Sequence, residues 1–196
     1  MLRLFAALCL ALPALSTHAA TYQYTGGPAT FVSHSATCAA PHDCGQYTLG
    51  QQVVTGSFTT AAPLAPNLAD ADIIPDLAGY SFNGSRFVID SSSPASRVNT
   101  FRVSTDASGA ITSVTINLHR WTYSAANSPA AGPHVDGDRR NEIYLFPSGA
   151  SFAAINLFCL GAAIGTSADG TGDTCLASGG DSFSSSGIAE AGGVWP

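Results

Sequence analysis

The sequence predicts an all-β fold: an antiparallel β-sandwich or barrel-like domain with at most one short helix and two disulfides. Short runs rich in Val, Ile, Thr, Tyr and Phe recur along the chain, separated by clusters of Gly, Pro, Ser and Asp. Such runs suit half-buried strands. Residues 61–78 hold Pro63, Pro66 and Pro75, which exclude a long helix there. Two turn signals, Asn83-Gly84 and Asp106-Ala107-Ser108-Gly109, fall between apolar runs where hairpins need them.

The elements follow in order. Arg3, an apolar run over residues 4–15 and the small residues Ala19 and Ala20 form a secretory signal peptide, residues 1–20, cleaved after Ala20 or Ala19. Its apolar run is shorter than the roughly 20 residues of a membrane span. Residues 21–196 form one secreted β domain. Residues 21–25 and 29–34 read as strands split by Gly26-Gly27-Pro28, and residues 52–60 as another. Within 61–78, Asn67 or Asp70 would cap one helical turn that Pro75 stops. Strands resume at 79–83 and 86–90 with Asn83-Gly84 as a two-residue turn. Residues 99–105 and 111–122 make a hairpin, with Val114, Ile116 and Leu118 on one face at period two. Residues 141–146 carry Ile143 and Leu145 on one face and Tyr144 and Phe146 on the other, the pattern of a central strand. Residues 152–160 read as a buried strand or a short buried helix, and 187–195 as a returning strand.

Composition narrows the function. The chain has no Lys and a net charge of −6; without Arg3 six arginines face thirteen carboxylates. Such a chain is repelled by phosphate backbones, so nucleic acid is excluded as a partner. No apolar run after the signal is long enough to span a membrane. Cys38, Cys44, Cys159 and Cys175 remain after the signal, an even number suited to an oxidising compartment. Four cysteines allow three connectivities. Cys38–Cys44 and Cys159–Cys175 are favoured because each closes a short loop. Cys-x-x-Cys is absent, which argues against zinc.

Candidate chemistry is sparse. No Gly-x-Ser-x-Gly elbow occurs. His119, one position off the Val114–Leu118 face, reads as a solvent-side residue beside Trp121. His134 lies in the densest polar loop, Pro133-His134-Val135-Asp136-Gly137-Asp138, which Arg139, Arg140 and Glu142 follow; His134 and Glu142 are its candidates, against a reading as ordinary turn chemistry. Asp136 with Asp138, and Asp169 with Asp173, are candidate calcium ligands that do not follow the EF-hand pattern. No catalytic residue, metal or cofactor is assigned. Trp121, Tyr123 and Trp195 are the aromatics that could stack on sugars, although core packing is the commoner role of such residues.

Residues Val54-Thr55-Gly56-Ser57-Phe58-Thr59, Ala62-Pro63-Leu64-Ala65-Pro66-Asn67-Leu68, Tyr80-Ser81-Phe82-Asn83 and Phe101-Arg102-Val103-Ser104-Thr105-Asp106-Ala107-Ser108-Gly109 resemble secreted bacterial proteins of unknown function, many carrying a C-terminal Pro-Glu-Pro (PEP-CTERM) sorting tail. The resemblance spans residues 24–121. Its motifs are structural, so it implies export and no active site. This chain stops at Trp195-Pro196 without that tail, which implies release. The expected function is a secreted or periplasmic, non-enzymatic module that binds an extracellular ligand, a polysaccharide or a surface protein. The alternative is a secreted hydrolase acting on glycans or esters.

Overall fold

In a computed structural model, residues 18–34, 42, 45–123, 134–160, 164–170, 173–175, 177–181 and 184–195 are described. The signal run and the Cys38–Cys44 pairing lie outside them. The chain forms β1 (Ala20–Thr25), β2 (Phe31–His34), β3 (Thr55–Thr60), β4 (Ala71–Asp72), β5 (Leu77–Asn83), β6 (Val88–Asp90), β7 (Ser96–Thr105), β8 (Ile111–Tyr123), β9 (Arg139–Leu145), β10 (Ser151–Cys159), β11 (Ile164–Gly165), β12 (Thr174–Cys175), β13 (Ser178–Gly179) and β14 (Ser185–Ala189). All pairings between these strands are antiparallel. The smaller sheet runs β1-β3-β5-β6. The larger runs β2-β14-β10-β9-β8-β7-β4, with β13 also on β10. β11 and β12 pair separately.

The two sheets share one apolar core. Phe58 and Phe82 from the smaller sheet meet Phe101 of β7, with ring centroids 4.9 and 6.3 Å apart. Val103, Val114, Ile116, Leu118, Ile143, Leu145, Ala153 and Ile155 of the larger sheet complete it. Val114, Ile116 and Leu118 are buried as their alternation requires. The ends of the chain close the same core. β14 lies between β10 and β2, Thr25 bridges Val194, and Trp195 packs on Tyr24 with centroids 5.1 Å apart.

Three local expectations are corrected. The helical turn is a 3-10 turn at Ile74–Asp76 that contains Pro75 instead of ending at it. Proline fits there because the first helical turn needs no N–H partner. Asn67 and Asp70 do not cap it; both adopt positive φ, and Asp72 Oδ1 accepts the Ile74 N–H. Asn83-Gly84 does start a hairpin, but Asn83 pairs with Val88, so residues 84–87 form the loop. Ser85 takes the positive φ, and Asn83 Oδ1 accepts its N–H at 2.8 Å. The last strand ends at Ala189, and only Val194 of the final residues bridges back. Residues 151–159 are a strand, which resolves the strand-or-helix ambiguity. Asp106 and Gly109 behave as expected: Asp106 Oδ1 accepts the Ser108 and Ala110 N–H groups, and Gly109 has φ +86°.

One irregularity decides what β10 shows on its outer side. Its register with β9 shifts between Ala154 and Leu157, and Asn156 there has φ +56°. This is a β-bulge, which inserts a residue and re-aims those beyond it. Ala153 and Ile155 point into the core. After the bulge Leu157 opposes Arg140, and Leu157 and Cys159 turn to the outer face.

Candidate binding face

The functional candidates gather on the outer face of the larger sheet, the side away from the shared core. Directly opposed residues of neighbouring strands lie on one face. Two rows cross it. The first is Phe31, Ile188, Phe152, Tyr144, Asn117 and Thr100, successive partners from β2 to β7. The second is Ser33, Ser186, Ala154, Glu142, His119 and Arg97 on the same strands.

Half of this face is covered. A strap running from β11 past β13 is tied down by the Cys159–Cys175 disulfide, whose Cα atoms are 5.8 Å apart. This is one of the two expected bridges. Beneath the strap Trp121 is fully buried with Ala95, Cys159 and Cys175. His134 stacks on the indole at 4.0 Å and 4°. Asp173 of the strap accepts the His134 N–H at 2.6 Å and takes the ring Nδ1–H as well. The Asp173 carbonyl accepts Trp121 Nε1–H at 3.0 Å. Arg140 donates to the Cys175 carbonyl, and Ser178 Oγ donates to Glu142 Oε2 at 3.0 Å.

His119 is therefore not on a solvent-side face. It is fully buried, edge-on to Trp121 at 5.4 Å. Among the described residues neither ring nitrogen has a hydrogen-bond partner. Burial, reinforced by the charges of Arg140, Arg97 and His134, holds its pKa well below the usual imidazole range. Parity placed His119 off the core face correctly; the strap then covers that face too. Burial likewise lowers the pKa of Arg140, opposed by Glu142.

The other half is open and grooved. A depression of about 610 Å³ is lined by Asn117, Glu142, Tyr144, Phe146, Phe152 and Leu157 together with Ser178, Gly179 and Gly180 of the strap. An adjoining one of about 440 Å³ shares Phe152, Leu157 and Gly180 and continues toward β2 past Asp181 and His34. Tyr144 and Phe146 pack at 4.3 Å. Glu142 sits where the covered and open halves meet. Its Oε1 accepts Asn117 Nδ2–H at 2.9 Å, and Asn117 Oδ1 accepts Asn99 Nδ2–H at 2.9 Å. Asp181 is held by two bonds from Arg139, at 2.9 and 2.6 Å.

The expected site residues thus divide. His134 and Asp173 come together, although they were placed in different candidates. Glu142 lines the groove, and His134 does not. Asp136 is exposed, whereas Asp138 is buried and accepts the Val135 N–H at 2.8 Å. Asp169 accepts the Ser167 hydroxyl. Among the described residues no group of three or more His, Cys, Asp or Glu could hold a metal ion. The His134–Asp173 pair has the form of the base half of a hydrolytic triad. Its outward nitrogen, Nε2, is buried and hydrogen-bonded to no described hydroxyl, so it holds the strap and activates no described serine. Both tryptophans follow the core-packing reading. Trp121 is buried and Trp195 packs on the core, and the Tyr123 side chain lies outside the described residues. The rings at the groove are Tyr144, Phe146 and Phe152. Tyr144 and Phe146 were legible as the second face of a central strand. Tyr144 aligns with Phe152 through the β9–β10 hairpin, whereas the alignment with Phe31 depends on register between strands distant in sequence.

Comparison with protein-family models, with curated proteins and with solved structures finds no match for this chain.

Proposed function

We propose that the protein is a secreted or periplasmic β-sandwich module that binds an extracellular surface or matrix component without catalysis. In this reading the signal peptide directs export, and both disulfides, Cys38–Cys44 included, form in the oxidising compartment beyond. One observation carries it: a groove over a rigid sheet face, floored by partly exposed aromatic and aliphatic side chains and bordered by a few fixed polar groups. Binding sites combine apolar lining with a small number of placed polar groups. The carboxylates at this groove support binding over hydrolysis. Glu142 is engaged by Asn117 and Ser178, and Asp181 by Arg139, so neither stands as an uncommitted acid or base.

The test is retention. Labelled mature protein is incubated with the envelope and exopolymer fraction of the cells that make it, beside Tyr144→Ala and Phe152→Ala. Wild type should be retained and each variant lost at least tenfold, with near-ultraviolet circular dichroism unchanged. Equal retention of all three, or release of reducing ends or free acid from the fraction over time, overturns the reading.

A further inference from the structure

We infer that the ligand of the open face is a neutral glycan chain lying across the strands. The inference rests on the binding-module reading above and gives the partner its chemistry.

The shape of the patch comes first. The row Phe31–Ile188–Phe152–Tyr144–Asn117 crosses five strands. At about 4.8 Å per strand it is ~19 Å long, and it is bordered after one row by Ser33, Ser186 and Glu142. A stable protein partner, including a second copy of this chain, would cover about 800 Å² on each side. A strip this narrow accommodates a single extended chain.

The chemistry of the strip then separates kinds of chain. An extended peptide binds a sheet by pairing with the backbone at an edge. On the face of a sheet the backbone groups are already paired, and only side chains are on offer. Those offered are ring faces in line, with amide, carboxylate and hydroxyl groups along one border. A pyranose has the complementary form, an apolar C–H face with hydroxyls around its rim. An acyl chain would gain nothing from the polar border and would need a deeper apolar cavity.

The polar border has capacity left. An ionised carboxylate accepts about four hydrogen bonds and an amide side chain makes about four. Asn117 uses one donor on Glu142 and one acceptor on Asn99, leaving a donor and an acceptor. Ser178 gives its proton to Glu142 and keeps its lone pairs for a ligand hydroxyl. Charge excludes ionic polymers. No Arg lines either depression, and the chain carries −6 overall, so a polyanion is repelled. Glu142 and Asp181 are paired with Arg140 and Arg139, so a polycation finds no uncompensated carboxylate there.

The experiment uses the retaining fraction of the previous test, divided in three. One part is treated with periodate, which cleaves the vicinal diols of sugars, one with proteinase, and one is washed in 1 M salt. The expected result is at least tenfold loss of retention after periodate, and full retention after proteinase and in salt. Loss to proteinase with survival of periodate identifies a protein partner and overturns the glycan while leaving the binding module standing. Elution by salt identifies a charged polymer and overturns neutrality. Absence of retention in every part, treated or not, removes the underlying reading as well.

Discussion

His119 stands one strand position from Leu118 and has the opposite fate on paper, yet both are fully buried. Period-two alternation tells which side of a sheet a residue faces; it is silent on what covers that side. Here the cover arrives from the strap, whose Asp173 meets His134 and whose Cys175 accepts from Arg140. The same limit hid Trp121, whose cover comes from distant residues. A pH dependence follows from the depressed His119 pKa. In the unfolded chain the imidazole titrates near 6.5, whereas in the folded chain it stays neutral to lower pH. The unfolded state therefore binds the extra proton first as pH falls below 6.5. Stability associated with this group is present above that value and is lost progressively below it, at up to about 1.4 kcal/mol per pH unit. Urea midpoints measured at pH 7, 6 and 5 should decline, and His119→Phe should flatten the decline. An imidazole with two unpartnered nitrogens gives up no hydrogen bond when replaced, so the variant should also fold. An identical slope in the variant would assign the proton to another group. The two tryptophans report separately: with Trp195→Phe the remaining Trp121 should change emission during acidification, and with Trp121→Phe the core reporter Trp195 should change later.

β10 joins a core strand to an outer-face anchor through its bulge. Ala153 and Ile155 follow the alternation that made this segment apolar on both faces, whereas Leu157 and Cys159 obey it only after one extra residue has been counted. An apolar run on both faces was legible as a buried element. The bulge was not, because Asn156 carries no signal that distinguishes an inserted residue from an ordinary strand Asn. Deleting Asn156 should restore unbroken alternation and leave Leu157 opposite Arg140 and Cys159 on the outer face. Non-reducing peptide mapping should then still find the Cys159–Cys175 bridge, and free thiols at both positions would show that the bulge itself is needed to seat Cys159. Removing the bridge directly, with Cys159→Ser and Cys175→Ser together, should lower stability by about 3 kcal/mol for a loop of this size. Limited proteolysis should cut first within the strap, which has few apolar side chains of its own. Cleavage elsewhere first would show that the strap is held mainly by Asp173, Ser178 and their partners. The hairpin around Asp106 and Gly109 was read correctly for a simple reason: its hydrogen bonds lie within five residues of each other.

At the scale of the molecule, Phe101 couples the two sheets. It is fully buried and touches rings from the smaller sheet, so Phe101→Ala should cost about 3–5 kcal/mol. Circular dichroism and Trp195 emission should lose structure in one transition at a lower urea midpoint; two separated transitions would mean that the sheets fold independently. The all-β class was readable because strand propensity and turn residues are local. Sheet order was not readable, since nothing local in residues 31–34 announces a partner at 185–188. That pairing has a consequence in time. A ribosome or an export channel delivers the chain from one end, and β2 waits for β14 through most of the delivery. Tyr24 likewise waits for Trp195. The larger sheet cannot close until residues 185–188 have emerged, so the edge strand β2 waits without its partner while the strands between them are made.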